Sequence, residues 1–278
     1  MGDRSTRCRR TRTRRLVSVL LSEPAALAAE LGPADNLLIV LDFDGTLAPI
    51  VDRPDDARPA SGAIDALRRL VTRTTVAMLS GRSVDDLLAR LPELPVILAG
   101  GHGAQIRATD GSVLDLIDVA TVTATLDTTQ TAVEQVVDDG IGWFVERKPT
   151  SLAVHHRLVP ESEVDERLPR VRALLEQHNG DEPGFEVVAG KSVLEIRPRS
   201  IDKGKALARI ADQVPDLTPV MIGDDVTDED AFRSAIARGG HAIVVSTDDR
   251  ETTAHARLAD PDAVVALLDL LGRAPTAH

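Results

Sequence analysis

Five short, largely apolar and β-branched runs constrain this chain more than any other feature: LLIVL (37–41), TVAML (75–79), PVILA (95–99), TPVMI (218–222) and HAIVV (241–245). A strand with one wet face alternates apolar and polar residues, whereas a strand buried on both faces does not. Between the runs lie stretches with helical spacing, such as SGAIDALRRLVTR (61–73), SVDDLLARL (83–91) and DPDAVVALLDLLG (260–272). Doubly buried strands separated by amphipathic helices predict an α/β fold, a parallel sheet flanked by helices.

Between about 107 and 193 the texture changes. A threonine-rich stretch (TVTATLDTTQTAV, 121–133) leads to IGWFVERKPTSLAVHHR (141–157), a helix-like PESEVDERLPRVRALLEQH (160–178) and FEVVAGKSVLEIRP (185–198). Two strand pairs with helices between them predict a small α+β module inserted into the parallel-sheet domain. The expected division is therefore a core of residues 31–106 and 194–278, an insert of 107–193, and an N-terminal basic arm with a leading helix over 1–30.

The chain carries a net charge of −12, but residues 1–15 hold seven arginines against Asp3, which leaves −18 on the remainder. So acidic a body argues against a nucleic-acid partner, whose backbone requires clustered Lys and Arg. The single cysteine, Cys8, permits no intrachain disulfide. The apolar stretch after the arginines, LVSVLL (16–21), is cut short by Ser22-Glu23-Pro24, and no run approaches the roughly 20 apolar residues of a bilayer span. A cytoplasmic protein with no membrane partner is the expectation, with a monomer as the expected state.

Ligands of open α/β sheets bind outside the carboxyl ends of the strands. LLIVL ends in Asp42-Phe43-Asp44-Gly45-Thr46, TVAML in Ser80-Gly81-Arg82, and PVMI in Gly223-Asp224-Asp225, followed by Asp228, Glu229 and Asp230. A fourth segment, RPRSIDKGKAL (197–207), places Lys203 at a helix start. Asp42, Asp224 and Asp228 together offer oxygen ligands for a hard cation, best suited to Mg²⁺. With a hydroxyl (Ser80) and a lysine beside them, they match the needs of phosphoryl transfer. Asp42 attacks phosphorus, Lys203 and the ion neutralise charge, and Asp44, on the same side of an extended chain, handles the proton. Each feature alone has a bland reading, as a turn, a helix cap or an acidic first turn. Their coincidence at successive strand ends does not.

DFDGT, LSGR, the Lys203 segment and GDDVTDEDAF resemble, in this order, the four motifs of the haloacid dehalogenase superfamily of phosphatases. DFDGTLAPIVDRPDDA, LAGGHGA, VERKPTSLAVHHR and VLEIRP are similar, more narrowly, to the trehalose-6-phosphate phosphatases. The resemblance covers about residues 36–272. It implies a Rossmann-like core with an inserted α/β cap, and Mg²⁺-dependent hydrolysis of trehalose 6-phosphate through an aspartyl phosphate, the last step of trehalose synthesis. By the same resemblance Asp42 is nucleophile and metal ligand, and Asp44 is acid/base with its carbonyl as a second ligand. Asp224 and Asp228 complete the metal site, with Asp225 less clearly matched. Ser80 and Lys203 hold phosphate. Lys148, His155 and Glu195 contact the disaccharide, with Glu146, Arg147 and Arg157 as neighbours and Gly81 and Arg82 expected on the substrate side.

The insert's polar residues have a logic of their own, since a phosphorylated sugar offers many hydroxyls and needs fixed donors and acceptors under a lid. If SLAVHHR is a strand, His155 and Arg157 share a face. Against 28 arginines the chain has four lysines, Lys148, Lys191, Lys203 and Lys205, all in or beside these segments. A retained lysine among so many arginines suggests a place for a compact ammonium, although Lys191 and Lys205 also fit simple exposed positions. Two positions depart from the family pattern: His156 stands where a tyrosine is common, and Gln105 where an acid is usual. His102 reads as a structural histidine of a glycine-rich turn, and Trp143 as core of the insert. Three other functions stay open on the same residues: a phosphatase for another sugar phosphate (sucrose 6-phosphate or a mannosyl compound), a phosphoacceptor signalling domain, and a silent sugar-phosphate binder.

Overall fold

The structure, a computed structural model, describes residues 20–138, 140–178 and 184–273. The arginine cluster and Cys8 therefore lie outside the described residues, and of the N-terminal 30 the description covers chiefly helix α1 (Pro24–Leu31). Among the described residues no helix is long and apolar enough to cross a membrane.

The apolar runs form strands as expected. β1 (Leu37–Leu41) is buried throughout and lies between β2 (Thr75–Leu79) and β10 (Thr218–Gly223), parallel to both, with Leu37 level with Thr218 and Leu38 level with Thr75. β3 (Ile97–Gly100) continues the sheet beyond β2, and β11 (His241–Val245) and β12 (Ala256–Leu258) continue it beyond β10. Each β1 residue serves one of two cores. Leu37, Ile39 and Leu41 pack with α1, α2 (Ala63–Leu70) and α8 (Pro261–Gly272). Leu38 and Val40 pack with α6 (Lys203–Gln213) and α7 (Glu229–Ala237) on the other side. That two-sided burial is why these strands show no polar alternation.

Two short strands, β4 (Gln105–Arg107) and β5 (Val113–Asp115), extend the large sheet antiparallel beyond β3. A separate four-stranded antiparallel sheet runs β6-β7-β9-β8, with β6 Phe144–Arg147, β7 Leu152–His155, β8 Phe185–Gly190 and β9 Val193–Pro198. The chain thus leaves the large sheet after Asp115 and returns after Pro198, some residues outside the expected limits of 107 and 193. The shift has a local cause. The 108–112 loop, with Gly111 at φ 87°, folds β5 back onto β4, and β9 bonds to β7 and β8 rather than to the large sheet.

Helices α4 (Val119–Val137) and α5 (Glu161–Glu176) cover one face of the small sheet, around Leu152, Val154, Leu194, Ile196 and Phe185. α4 contains the threonine-rich stretch. Thr123, Thr128, Thr129 and Thr131 each donate a hydroxyl hydrogen bond to the carbonyl four residues back, which satisfies groups that otherwise disfavour helix. Trp143 packs against this core, as expected.

Candidate active site

β1 stands where the strand order turns, with β2 on one side and β10 on the other, and a sheet opens a crevice at such a switch point. Asp42, Ser80 and Asp224 follow the ends of β1, β2 and β10, so all three reach one cleft. Lys203, the first residue of α6, arrives from the opposite side. Its side chain is 2% exposed, and Nζ donates to Asp42 Oδ1 at 2.9 Å and Asp228 Oδ1 at 2.6 Å. The other oxygen of Asp228 accepts the Asp225 N–H at 2.9 Å.

Carboxylate oxygens of Asp42, Asp224 and Asp228 lie within 4.8 Å of one another. Burial, with Asp228 and Asp224 adding repulsion against the pull of Lys203, raises the Asp42 carboxyl well above its usual range. Burial and then Asp228 push Asp224 up to about 7. Burial pulls on Lys203 too, but Asp228 and Asp42 outweigh it and hold the ammonium charged. Against three buried acids stand the buried Lys203 and the half-exposed Lys191, 3.1 Å from Asp224, so one acid still lacks a cation, and an all-oxygen donor set fits a hard divalent cation. The backbone makes the room. Gly45, at φ 82°, lies so close to Asp224 that a Cβ there would overlap its carboxylate. The expected metal ligands Asp42, Asp224 and Asp228 thus converge.

Asp44 projects into the same cleft, and Arg82 grips it. Arg82 Nε donates to Asp44 Oδ2 at 2.7 Å and Nη2 to Oδ1 at 2.8 Å. Nη1 donates to Asp86 at 2.6 Å and Nη2 also to the Pro54 carbonyl at 2.7 Å. Four of the five guanidinium N–H groups are therefore engaged within the protein. Arg82 lines the cleft as expected, but its donors serve Asp44 rather than a substrate. Ser80 is buried, and its hydroxyl accepts the Arg82 N–H at 3.2 Å.

The small sheet supplies the facing wall, and its register explains how. Ala153 pairs with Glu146 and with Glu195, and His155 with Val193, so Glu146, His155 and Glu195 share the face opposite the one on α4 and α5. His155 and Glu146 meet at 2.9 Å. Glu195 accepts from Ser151 at 2.6 Å and Lys148 at 3.3 Å. Burial would raise Glu195, but Lys148 and His102 hold it well below the usual carboxylate range. Glu195 and Glu146 in turn hold Lys148 charged against its burial.

Arg157 lines the cleft for a different reason than expected. β7 ends at His155, and Arg157 sits in the following turn, where Nη2 donates to the Lys191 carbonyl at 3.2 Å. Arg147 lies outside the cleft, on the other face of β6, paired with Asp127 of α4 at 3.0 Å. Lys205 stands apart as well, bonded to Asp202 at 2.9 Å.

The cleft also contains residues that sequence reasoning did not place there. His102 occupies its glycine-rich turn at φ 57° and is buried, as a structural histidine should be, yet Nε2 meets Glu195 Oε2 at 2.9 Å across the two sheets. Gly81 passes so close that a Cβ there would lie 2.8 Å from the imidazole. Lys191 and Thr227 complete the rim, beside Asp225, which the sequence had matched less clearly to the metal site. The signal for Lys191 was its rarity as a lysine, and for His102 its glycine neighbours. The two departures lie elsewhere: Gln105 bonds Asp115 on the antiparallel extension at 2.7 Å, and the His156 ring lies tilted at 41° to Trp143 with centroids 6.0 Å apart.

A family model for trehalose-phosphatases matches residues 40–262. The trehalose-phosphate phosphatase of Mycobacterium tuberculosis is 36% identical over 263 residues, 90% of this chain and 66% of that protein. An uncharacterized glycosyl hydrolase of the same organism is 40% identical over 247 residues, 84% of this chain but 18% of that protein. The chain therefore spans under a fifth of one relative and just under two thirds of the other. The C. albicans trehalose-6-phosphate phosphatase C-terminal domain shares the fold, at TM-score 0.81 and 23% identity over 91% of this chain and 98% of that one. Aspergillus fumigatus trehalose-6-phosphate phosphatase matches at TM-score 0.61 and 27% identity, over 91% and 99%. With its four strand-end segments and its inserted sheet inside the matched span, this chain belongs to the trehalose-phosphatase family.

Proposed function

We propose that this protein hydrolyses trehalose 6-phosphate to trehalose and phosphate, with the small module acting as a cap that selects the sugar. The observation that carries the reading is one cleft with two walls: carboxylates and a lysine on the core side, and Glu146, Lys148, His155 and Glu195 on the cap side. The cleft between the two walls is open to solvent at its mouth.

In this reading an Asp42 oxygen attacks phosphorus. The bond to the sugar oxygen breaks, and Asp44 gives that oxygen a proton, leaving an aspartyl phosphate. Asp44, now a base, takes a proton from water as it attacks the phosphoryl group, which regenerates Asp42 and releases phosphate. Lys203 holds positive charge beside Asp42 throughout, and Ser80 with the Gly81 backbone holds a phosphoryl oxygen. Asp42, Asp224, Asp228 and the Asp44 carbonyl would hold Mg²⁺, which would supply charge neutralisation at the phosphate. Arg82 acts on the reaction only by fixing Asp44.

Phosphate release from a panel of sugar phosphates, with and without Mg²⁺ and alongside Asp42→Asn, tests the proposal. Turnover of trehalose 6-phosphate that needs Mg²⁺ and falls at least about a thousandfold in the variant is expected. Turnover of a different sugar phosphate would keep the chemistry and discard the cap's role. No turnover of any member, with Mg²⁺ bound, would leave a binding or signalling protein.

A further inference from the structure

Lys203 is not the only ammonium at the three carboxylates. Lys191, at the tip of the β8–β9 hairpin, reaches from the small module to the core and places Nζ 3.1 Å from Asp224 Oδ2. The two lysines differ in one respect that matters. Lys203 is 2% exposed and fixed by two acids, whereas Lys191 is 48% exposed and has Asp224 as its ion-pair partner. Its hairpin is aimed at this contact. Ser192 takes φ 62°, its carbonyl accepts the His156 N–H at 2.9 Å, and Arg157 holds the Lys191 carbonyl. Gly190 passes the core loop so closely that a Cβ would lie 2.9 Å from Asp225 Oδ2, so the hairpin tip and the acidic loop fit without a side chain between them.

We infer that Lys191 is an exchangeable cation. It occupies Asp224 in the ion-free protein, competes there with the divalent ion, and pairs instead with the substrate phosphate once that ion is bound. A divalent ion beside the buried, doubly paired Lys203 leaves the three carboxylates no charge for a further cation, and the half-exposed ammonium of Lys191 is the one that yields. Released from Asp224, it remains inside the cleft, where the next anion to arrive is the phosphate monoester. Because binding couplings are reciprocal, the ion that displaces Lys191 also loosens one tie between module and core. The inference rests on the proposed ion site and phosphate substrate, not on which sugar the phosphate carries.

Isothermal titration of the metal-free full chain with Mg²⁺, beside K191Q, K191R and D224N, tests it. Lys191 is half exposed at a turn, so K191Q keeps the fold, which an unchanged melting temperature verifies. K191Q is expected to bind Mg²⁺ more tightly, on the order of fivefold, while K191R keeps the wild-type affinity. In turnover with the preferred sugar phosphate at saturating Mg²⁺, K191Q is expected to raise KM about tenfold and to change kcat far less. Mg²⁺ affinity in K191Q equal to or weaker than wild type overturns the exchange, and so does an unchanged KM. Should wild type and D224N titrate alike, the ion site itself fails and takes the inference with it.

Discussion

Arg82 illustrates how a residue's neighbours decide its role. Its guanidinium spends two parallel bonds on Asp44 and two more on Asp86 and the Pro54 carbonyl, so substrate binding is left with little to use. Arg82→Lys keeps the charge but loses the two-pronged grip. It is expected to lower kcat about tenfold to a hundredfold with little change in KM, read from initial rates across substrate concentrations. A variant with raised KM and unchanged kcat would return Arg82 to the substrate side. His102 supports a second test. Burial holds its pKa below the ordinary 6.5 despite the pull of Glu195. A depressed histidine contributes stability that is full above its unfolded pKa and is lost as pH falls through the folded value. Asp224, raised to about 7, contributes in the opposite sense over the same range, so the test is a difference. Between about pH 7 and pH 5.5 the melting temperature of His102→Gln, which still donates to Glu195, should rise relative to wild type.

At the scale of elements, helices and strands were legible to the extent that their burial is two-sided or strictly periodic. β1, β2, β10 and β11 were readable because both their faces are dry, and α8 because Asp260 caps it ahead of Pro261. β4 and β5 were not, being three residues each, and β5 exposed throughout. The same limit applies to the site. Asp42, Asp44, Ser80, Lys203 and Asp224 sit at strand ends and a helix start, where position follows from topology. The bond between Lys203 and Asp42 spans 161 residues, and that between His102 and Glu195 spans 93, so no local pattern announces either. α4 offers a test of local physics. Thr128 and Thr131 are exposed on that helix, and each pays for helicity with a back-bonded hydroxyl. Thr128→Ala should stabilise the protein by about 0.5 kcal/mol, measured by denaturant unfolding, with activity unchanged.

The whole molecule is two sheet layers facing each other over acids that repel. Any ion that binds the folded protein and not the unfolded chain adds stability in proportion to the logarithm of its saturation. Mg²⁺ at about a hundred times its dissociation constant should add about 2.7 kcal/mol, seen as a rise in melting temperature that a chelator reverses and that Asp224→Asn abolishes. A rise that survives in the variant would move the ion elsewhere.

Between Glu195, on the small-module wall of the cleft, and Lys203, bonded to Asp42, run only seven residues, along the end of β9 and up to the first turn of α6. In the proposed reading, selection and chemistry are thus written on one short piece of chain. Anyone transplanting a foreign lid onto this scaffold has two splice points, one near Asp118 and one between Pro198 and Asp202. The first is forgiving. At the second, one residue more or less would turn the helix that carries Lys203, and the graft would choose its sugar correctly and fail to cleave it.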